Sequence, residues 1–287
     1  MDLKHELKIR ADVVNRIIKE HTPKSNNKYS KGLFEAMEYS LWSGGKRIRP
    51  ILMKEMFDVL GGDYEENPIN YFIPAIEMIH TYSLIHDDLP CIDNDDYRRG
   101  KDTCHKKFNE YTALLAGNAL LNYAYELVIK GTIVTRNSKG MEAANVLAMS
   151  AGCEGMVAGE YAELTIHKDN ITEDSLDYVN RNKTGELITA SLLIGAILAG
   201  TDMDTLRTVY EFGYHIGIIF QLRDDIMDYD KDLNNLEVSH ATMFGIEKSS
   251  DKINAHKMEA LKILEEIDGD NKEFFIELIN YFCEIDK

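Results

Sequence analysis

The chain has 287 residues, 44% of them hydrophobic and 28% charged, which is enough apolar material to bury a core and excludes a disordered polymer. Lys and Arg number 32 against 49 Asp and Glu, a formal net charge of −17; this excludes nucleic-acid binding through bulk electrostatics and leaves metal cations as natural partners. The 4 cysteines show no Cys-x-x-Cys spacing, which excludes a zinc or disulfide scaffold and fits a reducing cytosol.

The opening stretch MDLKHELKIRADVV is charged throughout, so no secretory signal is expected there. The longest mostly apolar run, Ala190–Gly200, is too short to cross a bilayer. A soluble, cytoplasmic chain without a transmembrane segment is expected. Apolar residues recur at helical spacing, as in Val13, Ile17 and Ile18, then Leu33, Met37 and Leu41, then Ile73, Ile76, Ile79 and Leu84. Prolines number only 5 and strand-like alternation is scarce. The pattern predicts an all-α fold of about ten helices, with long ones over 69–88, 107–130, 141–165, 173–199, 203–231 and 250–267. The helix over Thr189–Ala199 is apolar on more than one face, which predicts an interior position. One domain spanning 1–287, a single large helical bundle, is expected.

The first acidic cluster lies within HTYSLIHDDLPCIDNDDYRRG, where Asp87, Asp88, Asp93, Asp95 and Asp96 crowd together. Pro90 stops the preceding apolar helix, so Asp87 and Asp88 fall at a helix C-terminus. The helix dipole disfavours carboxylates there unless a cation offsets them. The second cluster, FQLRDDIMDYDKD, places Gln221, Asp224, Asp225 and Asp228 at i, i+3, i+4 and i+7, on one helical face. Carboxylates on an apolar helix are costly unless neutralised, and hard oxygen ligands of this kind suit Mg²⁺ bridging to phosphates. Neither cluster has EF-hand spacing. Three small basic groups offset the overall charge: GGKRIRP from Gly44, Arg98-Arg99-Gly100, and Lys183-Thr184-Gly185. Glycines beside Lys and Arg let backbone and cations close around phosphate oxygens. Acidic and basic groups together describe a diphosphate held by metals on one side and by Arg and Lys on the other.

GGKRIRP, DDLPCIDNDDYRRG, KTG and FQLRDDIMD, in this order, resemble the trans-prenyltransferases of the polyprenyl synthetase family over nearly the whole chain. The segment His80–Phe108 is similar to bacterial enzymes that make farnesyl diphosphate. The resemblance implies the all-α isoprenoid synthase fold around a central cavity, a homodimer, and Mg²⁺, three ions with substrate bound. It implies condensation of isopentenyl diphosphate with an allylic diphosphate (dimethylallyl or geranyl) to give mainly farnesyl diphosphate, with geranylgeranyl or geranyl diphosphate as alternative products. By position, Asp87, Asp88, Asp93, Asp224 and Asp228 match metal ligands. Lys46, Arg49, His80 and Arg99 match the isopentenyl diphosphate site. Arg98 and Lys183 match contacts to the allylic diphosphate, Thr184 and Gln221 match groups that stabilise the allylic cation, and Phe220 lines the substrate site. Tyr82, with Ser83, matches the chain-length position; Tyr82 lies ~7.5 Å along the helix before Asp87, and an aromatic there accompanies C15 products in the family.

The chain departs from the family pattern at several places. YDKDLNNLEVSHATMFG is short, Glu237 falls where a lysine is usual, and Ser239-His240 replaces a Thr-Tyr pair. Arg223 and Glu160 each stand where glutamine is common. These changes lower activity unless Arg223 or Lys231 compensates, and they keep open an alternative of another class, a weakly active or regulatory subunit of a heteromeric synthase, against which the intact Asp clusters argue. A terpene cyclase would lack both Asp224-Asp225-x-x-Asp228 and GGKRIRP. An acidic cation-binding protein would not need the three basic groups.

Overall fold

The computed structural model describes residues 2–166, 170–235 and 237–284. Among them are fifteen α-helices and one two-stranded hairpin. In chain order they are α1 (Leu3–His21), α2 (Lys31–Leu41), α3 (Ile48–Val59), α4 (Ile69–Asp87), β1 (Tyr97–Arg98), β2 (Lys101–Asp102), α5 (Cys104–Lys107), α6 (Glu110–Thr135), α7 (Lys139–Ala151), α8 (Met156–Thr165) and α9 (Glu173–Val179). After a π-helical segment (Asn180–Gly185) come α10 (Glu186–Ala199), α11 (Met203–Met227), α12 (Tyr229–Asn235), α13 (His240–Phe244), α14 (Ile246–Glu266) and α15 (Glu273–Cys283). None of the described helices is long and apolar enough to cross a membrane.

The all-α expectation holds, and α4 and α14 fall close to their predicted spans. Three expected helices are broken. The span 141–165 divides because the chain turns at Gly152–Gly155; a Cβ at Gly155 would sit 2.2 Å from the Ser150 carbonyl oxygen. The span 173–199 is interrupted by the π-helical segment. The span 203–231 ends at Met227, and α12 begins separately. Caps explain several starts: Asn109 accepts from the Thr112 N–H ahead of α6, Asp202 accepts from Asp204 and Thr205 ahead of α11, and Thr172 forms a capping box with Ser175 ahead of α9.

The chain forms two compact units, each drawn from several stretches. One comprises His5–Lys54 and Asp63–Ala144; the other comprises Met1–Lys4, Glu55–Gly62 and Asn145–Lys287. In the first, α4 packs along α6. The inward face of α6 is built of Ala113, Ala116, Gly117, Leu120, Ala124, Leu127, Val128 and Gly131. A Cβ at Gly117 would lie 2.2 Å from His86 Nε2, and one at Gly131 would lie 2.6 Å from the Tyr71 ring. The two glycines therefore set how closely α4 rests on α6. In the second unit, α11 is the central helix and packs on α10, α14 and α15. Its Gly213 and Gly217 seat against the backbone of Thr189 and Gly185, where added Cβ atoms would approach to 2.9 and 2.7 Å. The π-helical KTG segment is thus held by backbone contact, and π-bulges of this kind are frequent at functional sites.

Candidate active site

In the first unit the site is built where α4 ends. Asp87 is the last residue of α4 and Asp88 its C-cap. The chain then winds back, with the Asp93 N–H donating to the Asp87 carbonyl at 2.9 Å and the Asn94 N–H to that of Leu89 at 3.1 Å. Strands β1 and β2 are joined by Arg99-Gly100, both at positive φ (53° and 74°), the backbone that a two-residue hairpin turn requires. This turn throws Arg98 and Arg99 back towards the acidic loop. Arg98 donates to Asp88 Oδ1 from Nε (2.7 Å) and Nη2 (2.6 Å). Asp88 is 3% exposed, and burial pushes its carboxyl up to about 6 although Arg98 opposes the shift. Asp88, expected as a metal ligand, is therefore engaged as an anchor for Arg98. Arg98, expected on the allylic diphosphate, is engaged with Asp88. Asp87 is half-buried, and Asp93 is exposed.

Gly44 and Gly45 adopt φ of +103° and +122°, open to glycine and strained for other residues. Arg99 Nη1 donates to the Gly44 carbonyl at 2.5 Å. A Cβ on Gly45 would fall 2.6 Å from that same Nη1, so the double glycine makes the seat for the guanidinium. Lys46 is exposed and Arg49 half-buried. His80, seven residues before Asp87 on α4, is held well below its ordinary pKa by the protein packed around it and then by the fields of Arg49, Arg99, Arg98 and Arg47. It is a neutral imidazole among cations. Arg47 was not among the expected site residues. It is buried, with Nη1 2.6 Å from Glu77 Oε1, Nε 3.0 Å from Asn15 Oδ1 and Nη2 2.7 Å from the Leu41 carbonyl. It ties α1, α2 and α4 together behind the glycines. The sequence signal was Glu77, a lone carboxylate in the apolar run of α4, which needs a buried cation. Tyr82 is 6% exposed and packs edge-on against His86, ring centroids 5.6 Å apart; burial pushes its hydroxyl up to about 12. Ser83 is half-buried, its Oγ donating to the His80 carbonyl at 3.0 Å.

In the second unit, Asp224 is half-buried and Asp228, the C-cap of α11, is exposed. Asp225 is the buried member of the cluster. It is 4% exposed, and it accepts from Gln221 Nε2 at 2.8 Å and from the His240 N–H at 3.0 Å. Burial pushes its carboxyl up to about 6. Gln221 and Asp225 are joined by an i, i+4 hydrogen bond, as the expected shared face requires, and Asp224 and Asp228 are less buried than Asp225. Phe220 is half-buried, edge-on to Phe282 at 5.3 Å. The short loop folds into α12 and α13, and Ser239 forms a capping box with Thr242. His240 Nδ1 lies 2.7 Å from Ser249 Oγ. Glu237 is exposed, as is Lys231. Arg223 is 7% exposed and stacked 4.4 Å from the Tyr281 ring centroid.

Lys183 and Thr184 lie half-buried in the π-helical segment. Lys183 Nζ is 2.7 Å from Glu160 Oε2 and also contacts Glu163 Oε2. Burial pulls its ammonium pKa down, but Glu163 and Glu160 outweigh burial and the net shift is upward.

Among the described residues, no three or more His, Cys, Asp or Glu side chains gather around a single point. Asp87 and Asp93 on one motif, and separately Asp224 and Asp228 on the other, are oxygen donors of the kind that fit a hard divalent cation whose shell is completed by water and phosphate oxygens. The helix C-termini that carry Asp87 and Asp228 disfavour carboxylates without such a charge.

The polyprenyl synthetase family model matches residues 30–242. The chain is 37% identical over 299 residues to a farnesyl diphosphate synthase of Micrococcus luteus, covering 99% of this chain and 100% of that protein. It is 35% identical over 296 residues to geranylgeranyl pyrophosphate synthase 4 of Arabidopsis thaliana, covering 98% and 78%. The crystal structure of an FPP/GFPP synthase from Zymomonas mobilis superimposes with a TM-score of 0.86 at 31% identity, over 99% of both chains. The chain belongs to the polyprenyl synthetase family, has its all-α isoprenoid synthase fold, and is a prenyltransferase of the short-chain trans type.

Proposed function

We propose that this enzyme condenses isopentenyl diphosphate with a C5 or C10 allylic diphosphate, with Mg²⁺, to give mainly farnesyl diphosphate. The observation that carries this reading is the cationic seat of the first unit: Arg99 held on Gly44-Gly45, beside a neutral His80 in the field of Arg49, Arg98 and Arg47. A diphosphate bound there meets Arg99, Arg49 and Lys46, and His80 donates without adding charge. Asp87 and Asp93 on one motif, and Asp224 and Asp228 on the other, would hold Mg²⁺, which would supply charge neutralisation for the departing diphosphate. Lys183 contacts the allylic diphosphate, and the Thr184 hydroxyl and the Gln221 amide, oriented by Asp225, face the developing allylic cation. The isopentenyl double bond attacks that carbon, and a proton is then lost to the released diphosphate.

The buried Tyr82 ring, with Ser83 beside it, supports a C15 limit on the growing chain. The similarity to both farnesyl and geranylgeranyl synthases keeps a C20 product as the second reading. A homodimer is supported by the apolar outer face of α6, where Tyr111, Leu115, Ile129 and Ile133 are exposed. A single domain working in the cytoplasm completes the reading. The test is Arg99→Met: KM for isopentenyl diphosphate rises by at least about tenfold while KM for the allylic substrate holds. An unchanged isopentenyl KM sinks the assignment of the seat.

A further inference from the structure

Lys183 is gripped by two acids. Glu160 and Glu163, on consecutive turns of α8, both reach its ammonium group. The grip is rigid because Gly159 lies against the π-helical backbone; a Cβ there would fall 2.2 Å from the Lys183 nitrogen. Two carboxylates against one ammonium leave a local charge of −1. An ammonium group has three N–H donors, and two are taken. The second oxygen of Glu160, Oε1, is buried with no hydrogen-bond partner. A carboxylate placed in this way carries a desolvation cost that a neutral amide would reduce.

We infer that Glu160 is an affinity-setting residue: it competes with the allylic diphosphate for Lys183 and weakens binding of that substrate. The inference rests on the reading of Lys183 as a diphosphate contact. Charge at Glu160 opposes the incoming anion at short range, in a half-buried setting where water screens poorly. A glutamine there keeps an oxygen for Lys183 and brings the local charge from −1 to zero.

Glu160→Gln lowers the allylic KM by about tenfold at low ionic strength, while KM for isopentenyl diphosphate is unchanged. The gain shrinks at high salt, as an electrostatic effect must. Inorganic pyrophosphate with Mg²⁺, titrated calorimetrically, binds correspondingly tighter to Glu160→Gln. Glu160→Ala, which also removes the charge, shifts both measurements in the same direction. Lys183→Met separates the inference from its premise. It raises the allylic KM, and in that background Glu160→Gln loses most of its effect, because the two residues are coupled. If Lys183→Met leaves the allylic KM unchanged, the reading of Lys183 fails and the inference with it. If Lys183→Met raises KM but neither Glu160 variant lowers it or tightens pyrophosphate, the reading stands and the inference is overturned.

Discussion

The two acidic motifs look alike in sequence, each with adjacent aspartates near the end of an apolar helix, yet they are anchored differently. In both, the second aspartate of the pair is turned inward and its carboxyl is pushed up to about 6 by burial. At the end of α4 the inward residue, Asp88, is met by a cation, Arg98. At the end of α11 the inward residue, Asp225, is met by two neutral donors, the Gln221 amide and the His240 backbone N–H. The first aspartate of each pair, Asp87 or Asp224, is left half-buried and suited to a ligand. In this chain the second aspartate of each Asp-Asp pair is therefore an anchor, and its partner decides what else the motif holds. Asp88 occupies an arginine; Asp225 orders the short loop through His240.

The largest effect follows from the ligand half of the comparison. Asp87→Ala and Asp224→Ala each reduce turnover by about a thousandfold or more, with little change in melting temperature; a variant that keeps wild-type turnover breaks the pairing of roles. Next is product length. Tyr82 stands five residues before Asp87, and the equivalent position before Asp224 is Ile219, fully buried on α11. Tyr82→Ala shifts the product to C20 or longer by mass, and Ile219→Val does not. An unchanged C15 product from Tyr82→Ala shows that another residue sets the length.

The anchors are distinguished by stability. Asp225→Ala leaves two donors unsatisfied, one of them on buried His240, and costs about 2–3 kcal/mol in denaturant titration. Asp88→Ala costs less, about 1–2 kcal/mol, because Arg98 is 31% exposed and can turn to water. Added salt weakens the Asp88 anchor and leaves the Asp225 anchor nearly unaffected; equal salt sensitivity would contradict the distinction.

The smallest effect lies farther back on α11, where His215 Nδ1 meets His256 Nδ1 of α14 at 2.8 Å. Burial lowers the His215 pKa against the opposing fields of Glu259 and Glu211. Burial, then His215 and Lys252, push His256 down to about 4 against Asp177. Both rings are neutral in the fold, whereas the unfolded chain takes up protons below about 6.5. Their contribution to stability is complete above that value and is lost as pH falls from it towards 4, about 1–2 kcal/mol in all. His256→Gln flattens the dependence in denaturant titrations across that range; a wild-type slope in the variant removes the pair from the account.

Helical periodicity made the fold class legible, together with α4 and α14, because long apolar repeats leave few alternatives. The two aspartate clusters and the paired glycines of GGKRIRP were legible from residue type and spacing. The anchors were not. Asp225 meets His240 through a loop closed by the Ser239–Thr242 capping box, and Arg98 reaches Asp88 only because a two-residue hairpin puts Arg99 at positive φ. Strands of two residues carry no period to detect. The π-helical segment was hidden for a similar reason: its backbone is set by Gly159 and Gly217 from other helices, not by its own composition. Arg47 was overlooked because it stands in a basic motif, where its neighbours suggest phosphate, while its partner Glu77 lies 30 residues away.

The account stands or falls on metal-dependent coupling of isoprenoid diphosphates. The most direct measurement is to incubate the purified protein with Mg²⁺, isopentenyl diphosphate and geranyl diphosphate, and to identify the products by mass. A C15 diphosphate that forms with Mg²⁺ and disappears with chelator is the predicted result; both substrates recovered intact in the presence of Mg²⁺ would contradict it.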